Sequence, residues 1–187
     1  MRKMFSFMII SADGYHADPG QALDWQTIDE EFSQFALTQL REAGTLVFGR
    51  VTYELMAAFW PTPAGEESDP DVAKAMNTTP KIVISRTLAQ AGWAGTQVIS
   101  HHAEEELARL KELPGQDIVI AGSSTLTAGL LQTGLLDELR IMVNPVILGQ
   151  GRSLFAGAGQ TSLRLLKTRQ FTSGNVLLCY QPMIHRS

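Results

Sequence analysis

Three stretches decide the fold: residues 45–52 read TLVFGRVT, residues 81–88 read KIVISRTL, and residues 117–126 read DIVIAGSSTL. Each begins with a short run of apolar residues, rich in β-branched side chains, which is typical of a strand buried on both faces. Each run ends at a glycine or serine and continues into residues that can begin a helix. Strands that alternate with helices predict a central, mainly parallel sheet flanked by helices. We therefore predict an α/β fold.

The flanking sequence extends this pattern to both ends of the chain. Apolar residues at helical spacing predict helices over residues 28–43, 51–59, 103–113 and 124–131, and Gly44 is expected to end the first. Further strands are predicted over residues 4–11, 96–100, 138–146, 163–171 and 176–183. No helix separates the last three strands, so we expect antiparallel pairing there. Residues 62–80 are rich in Pro, Gly and acidic residues, which predicts an exposed loop with a brief helix near residues 72–76.

Composition limits the classes of partner. The 187 residues include 15 Lys and Arg against 19 Asp and Glu, a net charge of −4, and the cations are scattered. A nucleic-acid-binding face needs clustered positive charge, so no nucleic acid is expected. No apolar run approaches the ~20 residues of a membrane helix, and the start, MRKMFSFMIISADGY, alternates like a strand rather than a signal peptide. We predict one soluble, cytoplasmic domain over residues 1–187 that binds a small molecule and no membrane.

Cysteine and histidine usage predicts no metal site. The single cysteine, Cys179, excludes an intrachain disulfide and a multi-cysteine zinc site. Its apolar neighbours predict a buried, inert thiol. His102 and Glu104 match one half of the zinc deaminase motif, but the P-C-x-x-C half cannot be made with one cysteine.

Basic and hydroxyl side chains follow the ends of the three decisive strands. Arg50 and Arg86 each stand one residue beyond a strand end, where a guanidinium could bind a phosphate. The carboxyl ends of parallel strands form the crevice where open α/β sheets bind ligands, and a helix start offers free N–H groups to an anion. Each segment alone also fits an ordinary helix N-cap, whereas three together favour a phosphate-binding crevice. Neither G-x-G-x-x-G nor G-x-x-x-x-G-K-[ST] is present, which disfavours a standard Rossmann domain and a P-loop NTPase.

Six motifs in a fixed order carry a family resemblance. They are SADGY (11–15), FGRVTYE (48–54), SRTL (85–88), AGSSTL (121–126), GLLDEL (134–139) and NPVILGQGRSLF (144–155). In order and spacing they resemble the dihydrofolate-reductase-like superfamily, in the branch of the riboflavin-biosynthesis reductase domain, over roughly residues 4–182. The resemblance implies a mixed, mainly parallel sheet flanked by helices with antiparallel C-terminal strands, NADPH as cofactor, and a homodimer.

The resemblance also assigns residues to the cofactor. It places Gly49, Arg50 and Thr52 at the pyrophosphate and Ser85, Arg86 and Thr87 at the adenosine 2′-phosphate. The second turn under the pyrophosphate is assigned to Gly122, Ser123, Ser124, Thr125 and Leu126. Because discrimination of NADP from NAD generally needs a cation at the extra phosphate, Arg86 predicts NADPH over NADH.

The reacting end offers two candidate acids. Asp13 follows the first strand, in a segment that lies beside the substrate and nicotinamide in the riboflavin-type branch, although an Asx-turn before Gly14 is the structural alternative. Glu30 stands in the acidic run 29–31 at a helix start, where the helix dipole alone favours acidic residues. Folate-reducing members carry an acid on this helix, but spacing from Trp25 points to Glu30 and spacing from Phe35 points to Glu31. We rank Asp13 before Glu30 as catalytic candidates.

Two functions follow from these expectations. The first is an NADPH-dependent reductase that transfers a hydride to a small heterocyclic, ribosylamino-pyrimidine-like or pterin-like substrate. The second is a nucleotide- or pterin-binding protein of the same fold without efficient catalysis.

Overall fold

An eight-stranded sheet lies at the centre of the computed structural model, which describes residues 1–20 and 22–183. The strands, in chain order, are β1 (Met4–Ser11), β2 (Tyr15–Ala17), β3 (Ala43–Gly49), β4 (Lys81–Ile84), β5 (Thr96–Ile99), β6 (Asp117–Ala121), β7 (Glu138–Asn144), β8 (Arg152–Ser153), β9 (Ser162–Gln170) and β10 (Val176–Met183). The sheet order is β5-β4-β3-β6-β1-β7-β10-β9, and β2 pairs separately with β8. All neighbours from β5 to β7 are parallel, whereas β10 is antiparallel to both β7 and β9. The predicted mixed α/β fold with antiparallel C-terminal strands is confirmed.

Helices cover both faces of this sheet. They are α1 (Glu30–Glu42), α2 (Arg50–Phe59), α3 (Pro63–Ser68), α4 (Pro70–Thr78), α5 (Ala103–Glu112) and α6 (Ser124–Leu130). Apolar side chains of α1, α2 and α4 pack on one face, and those of α5 and α6 pack on the other. Among the described residues, no helix has the length and apolar character needed to cross a bilayer.

Strand β1 shows why the central strands are apolar throughout. Met4 and Met8 face the α5–α6 side, while Phe5 and Phe7 face the side covered by α1 and α2. Successive side chains of a strand point to opposite faces, so a strand covered on both sides needs apolar residues at every position. The same condition explains the apolar runs of β3, β4 and β6.

The brief helix predicted near residues 72–76 is confirmed as part of α4, but the loop predicted over the rest of residues 62–80 is wrong, because most of this segment is helical. Thr62 accepts a hydrogen bond at Oγ1 from Gly65 N (3.3 Å), and Asp69 accepts one at Oδ1 from Val72 N (3.1 Å). Pro63 and Pro70 follow these caps at the first helical positions of α3 and α4. Proline is favoured there because its missing N–H has no intrahelical partner in any case. The Pro and Asp residues therefore mark helix starts.

Two further local predictions are corrected. No helix follows β4: Ser85 Oγ accepts hydrogen bonds from the N–H groups of Thr87 (3.2 Å) and Leu88 (3.0 Å), which closes a turn. Gly44 does not end α1, since it lies inside β3. A Cβ at Gly44 would meet Arg2 Nη2 at 3.0 Å, so the glycine leaves room for the Arg2 side chain and does not end the helix.

Candidate functional site

The carboxyl ends of β4, β3 and β6 meet at one edge of the sheet, because the three strands are adjacent and parallel. A cavity of about 1010 Å³ opens there. Of the predicted cofactor residues, all except Thr87 line it: Gly49, Arg50, Thr52, Ser85, Arg86, Gly122, Ser123, Ser124, Thr125 and Leu126. Open α/β sheets bind ligands at this edge, so the structure brings the three predicted segments together at the expected place.

The turns after β3 and β6 are in direct contact. Gly49 is the N-cap of α2, and a Cβ added to it would overlap Ser123 Oγ. Thr52 Oγ1 accepts a hydrogen bond from Ser123 N (3.2 Å), and a Cβ at Gly122 would lie 2.8 Å from Thr52 Cγ2. Both glycines are therefore required by the close approach of the two turns, and Gly122 also has a positive φ of 69°.

These two turns present backbone donors to the cavity. Gly49 supplies no side-chain cap to α2, so the first-turn N–H groups of this ten-residue helix have no side-chain partner at the N-cap. After β6, Gly122 and Ser123 are both left-handed, with φ of 69° and 52°. Within the described residues, the N–H groups of Ser124 and Thr125 have no hydrogen-bond acceptor. Consecutive N–H groups in such a turn form a concave site for an anion.

The two predicted arginines differ in their surroundings. Arg50 donates to both carboxylate oxygens of Glu54, at 3.0 and 2.9 Å, in an exposed pair on one turn of α2. Arg86 is exposed and has no partner among residues 1–20 and 22–183. An exposed ion pair contributes only about 0–1 kcal/mol, so Arg50 can exchange Glu54 for a ligand at little cost. Both guanidiniums are available at the edge of the cavity.

The remainder of the cavity lies against α1 and α2 and is mostly apolar. Its wall there contains the side chains of Phe7, Leu23, Ile28, Phe32, Ala36, Leu55, Met56, Phe59 and Trp60. Trp60 donates from Nε1 to the sulfur of Met56, so its polar atom is engaged inside this wall. An apolar cavity with a few polar groups at one end is the usual form of a small-molecule site.

Asp13 does not line the cavity. Its carboxylate accepts hydrogen bonds from Ser11 Oγ (2.6 Å), Leu148 N (3.1 Å) and Gly149 N (2.7 Å). The hydrogen bond from Ser11, and then those from the backbone, hold the pKa of Asp13 below its ordinary value. The structure therefore places Asp13 as the group that fixes the turn at residues 148–149.

The acidic run at the start of α1, residues 29–31, does not line the cavity either. Asp29 is the N-cap and accepts from Phe32 N (2.8 Å), and exposed Glu30 accepts from Gln34 Nε2 (3.2 Å). Glu31 accepts from the backbone N–H of Thr172 and from Arg169 Nη2, and these two hydrogen bonds lower the pKa of its carboxyl. Instead of these acids, α1 presents Phe32, Ser33 and Ala36 to the cavity.

The sequence motifs did not predict two polar residues that line the cavity. His16 on β2 and Arg152 on β8 both line it, on strands that pair with each other. Burial, and then the charge of Arg152, lower the pKa of His16, which favours its neutral imidazole. His16 directly follows the SADGY motif, and Arg152 lies within NPVILGQGRSLF. Neither motif predicts that the two segments form a small sheet at the cavity.

Comparison with known proteins identifies the family. A family model described as the RibD C-terminal domain matches residues 2–177. The uncharacterized protein YyaP of Bacillus subtilis (strain 168) is 29% identical over 182 residues, covering 96% of this chain and 94% of that protein. A putative riboflavin biosynthesis protein from Shewanella sp. PV-4 has a similar structure, with a TM-score of 0.73 and 22% identity over 97% of this chain and 99% of that one.

The fold is also shared with an enzyme solved with a nucleotide. Dihydrofolate reductase from Enterococcus faecalis, in complex with NADP(H), gives a TM-score of 0.65 at 18% identity, covering 96% of each chain. At such identities the likeness concerns the fold. The family match spans almost the whole chain, and the chain therefore belongs to the RibD C-terminal domain family, the branch that its motifs predicted, with a fold like that of dihydrofolate reductase.

Proposed function

We propose that this protein is an NADPH-dependent reductase acting on a small heterocyclic substrate. The observation that carries the proposal is the pair of touching turns at Gly49 and Gly122. Beside them, the N–H groups of Ser124 and Thr125 and the Arg86 guanidinium at the next strand end have no partner within the described part of the chain. Family membership supports reductase chemistry, and the Enterococcus faecalis dihydrofolate reductase of the same fold binds NADP(H).

The residues present fit a dinucleotide phosphate. Side chains at positions 49 and 122 would fill the space between the two turns, so the glycines keep backbone donors accessible to a pyrophosphate. Arg86, with Ser85 beside it, is suited to an additional phosphate because a guanidinium makes charge-assisted hydrogen bonds.

When bound, NADPH supplies a hydride, so the protein has to orient the two reactants and exclude water. The α1 and α2 side chains form the apolar wall that would exclude water from the acceptor. Leu55, Phe59 and Phe32 contribute to that wall from the two helices. Among the described residues, the carboxylates that line the cavity are Asp69, which caps α4, and Glu104, so we assign proton supply to water.

Cofactor selectivity tests the proposal. In Arg86→Ala, NADPH affinity should fall about 10- to 100-fold while NADH affinity stays constant, because a hydrogen bond to a charged group contributes about 1.5–3 kcal/mol. Titration of protein fluorescence with each nucleotide gives both affinities. Arg41→Ala removes another exposed arginine, from the C-terminal end of α1, and serves as the control. An unchanged ratio of NADPH to NADH affinity in Arg86→Ala would refute the assignment.

One observation favours a second function, binding without efficient catalysis. Neither Asp13 nor Glu30 lines the cavity, so neither predicted acid contacts a bound substrate in this arrangement. Turnover separates the two functions: NADPH absorbance should fall in the presence of an acceptor if the chain is a reductase. Tight NADPH binding without oxidation by any acceptor tested would favour the second function.

A further inference from the structure

Helix α1 presents one buried polar side chain to the cavity, that of Gln39. Of the two buried residues of this helix, Phe32 and Gln39, only Gln39 is polar, and it is 6% exposed. The other residues of α1 that line the cavity are Phe32, Ser33, Ala36 and Leu40, of which only Ser33 is polar. Glutamine is mostly an exposed residue in proteins, so its burial in this wall requires a physical reason.

A buried arginine on β7 accounts for one half of the Gln39 amide. Arg140, which is 7% exposed, donates from Nη1 to Gln39 Oε1 at 2.9 Å and from Nε to Glu138 Oε1 at 2.6 Å. Glu138 in turn accepts from Lys3 Nζ at 2.5 Å, and Arg140 Cζ lies 3.6 Å from the centroid of the Phe5 ring. An ion pair and an aromatic ring therefore hold the guanidinium that contacts Gln39.

The contact with Arg140 fixes which atom of the Gln39 amide is left for a ligand. A guanidinium donates hydrogen bonds and never accepts one, so Gln39 must turn its carbonyl oxygen toward Arg140. The opposite orientation would bring an N–H2 group against the guanidinium. Nε2 is therefore the atom of Gln39 left for the cavity, and it has no hydrogen-bond acceptor within the described part of the chain.

An unpaired amide N–H2 group in a buried wall indicates a ligand that accepts hydrogen bonds. A buried donor without an acceptor destabilises the folded protein, so buried polar groups are nearly always bonded. The Ser33 hydroxyl on the same helix can donate or accept, and it therefore does not discriminate between ligands. Gln39 Nε2 can only donate, so it selects for an acceptor.

Resting on the proposed reductase function, we propose that Gln39 is a specificity-determining residue that donates from Nε2 to a ring carbonyl oxygen of the heterocyclic substrate. Oxo-pyrimidines and oxo-pteridines carry such a carbonyl group. An amino group at the same ring position would place two donors opposite each other. A site built to hydrogen-bond one group rejects an analogue that leaves its own polar atom unpaired.

Two pteridines that differ at one ring position test this role. Pterin has a carbonyl group at position 4, and 2,4-diaminopteridine has an amino group there. In equilibrium dialysis at neutral pH, the wild type should bind pterin at least about tenfold more tightly, because the diamino compound leaves Nε2 without an acceptor. Equal affinities, a preference for the diamino compound, or no binding of either compound would overturn the inference.

Gln39→Glu separates the selection of a ligand from a purely structural role. Glutamate has nearly the same shape and still accepts from Arg140, but beside the guanidinium it is ionised and has no donor. The variant should therefore fold like the wild type and prefer 2,4-diaminopteridine by about tenfold. If Gln39 only provides an acceptor for Arg140, the preference for pterin will be unchanged in Gln39→Glu, and that result would refute the inference.

Two further variants locate the effect. Gln39→Met removes both the donor and the acceptor, so the two pteridines should bind it with similar affinity, and a retained preference for pterin would contradict the inference. Gln34→Glu makes the same chemical change at an exposed position of α1 that does not line the cavity. This control should keep the wild-type preference, and a reversal in it as well would remove Gln39 from the inference.

The inference and the proposed function fail in different ways. Gln39→Glu should bind NADPH like the wild type, because Gln39 lies on α1 and the proposed NADPH residues lie at the strand ends. If NADPH binds and is oxidised while Gln39→Glu keeps the preference for pterin, the reductase function stands and the role of Gln39 is refuted. If NADPH does not bind but the preference reverses, the role of Gln39 stands and the reductase function is refuted.

Discussion

Substitution of Gly49 by alanine should disrupt the contact between the two turns at the cavity. Gly49 has φ −79° and ψ 162°, which every residue adopts easily, so alanine introduces no backbone strain. The new Cβ would nevertheless overlap Ser123 Oγ and lie 3.0 Å from Ser123 Cβ. The effect of Gly49→Ala is therefore steric, and the turn after β6 must move to accommodate it.

The size of the effect follows from this overlap. Inserting one methyl group into a tightly packed contact costs about 1–3 kcal/mol in the free energy of unfolding. Movement of Ser123 also displaces the N–H groups of Ser124 and Thr125 and the hydrogen bond from Ser123 N to Thr52 Oγ1. We expect NADPH affinity to fall at least about tenfold, which corresponds to about 1.4 kcal/mol.

Urea unfolding and fluorescence titration with NADPH measure the two effects separately. Gly92→Ala is the matched control, because a Cβ there meets nothing within 4 Å. In the double variant Gly49→Ala/Ser123→Gly, the Cβ and Oγ atoms of residue 123 that the new methyl group would meet are gone, and glycine suits the φ of 52° at position 123. The double variant should therefore recover most of the lost stability and affinity. Wild-type stability and affinity in Gly49→Ala, or no recovery in the double variant, would refute the reasoning.

Three other predictions concern stability and assembly. Asp13→Asn should destabilise the protein at neutral pH. Because the pKa of Asp13 is lower in the folded state, the contribution of its carboxylate to stability is complete above the ordinary pKa of 3.8 and is lost as the pH falls below that value. The urea unfolding curves of the variant and the wild type should therefore converge in acid. Lys81→Met should lower the free energy of unfolding by about 2–4 kcal/mol, because the buried ammonium donates to the carbonyl groups of Met76, Asn77 and Thr79. A variant as stable as the wild type would contradict this prediction. The homodimer implied by the resemblance stays a prediction: sedimentation equilibrium should give about twice the chain mass of 20.5 kDa, and a value of 20.5 kDa would exclude it.

The buried thiol and the strand positions show what local sequence can predict. Cys179 is fully buried, as its apolar neighbours indicated, and burial raises its pKa above the ordinary value. The apolar runs predicted β3, β4 and β6 because a strand buried on both faces of a parallel sheet needs apolar side chains at consecutive positions. Most of the loop predicted over residues 62–80 was wrong because Pro and Asp are as favourable at a helix N-terminus as in a loop. Only the packing of Val72 and Met76 in the core decides between a helix and a loop there.

The sequence by itself determined the α/β class and the crevice at three strand ends, since short-range patterns of apolar, glycine and hydroxyl residues specify both. Only the tertiary structure decided which side chains reach the cavity. Asp13 and Glu30 had suitable chemistry, but the Asp13 carboxylate accepts from the backbone of Leu148 and Gly149, and the Glu30 carboxylate accepts from Gln34. His16 and Arg152 lie 136 positions apart in the chain and meet through the pairing of β2 with β8. Cavity lining depends on how distant elements pack, and no pattern within one element encodes that.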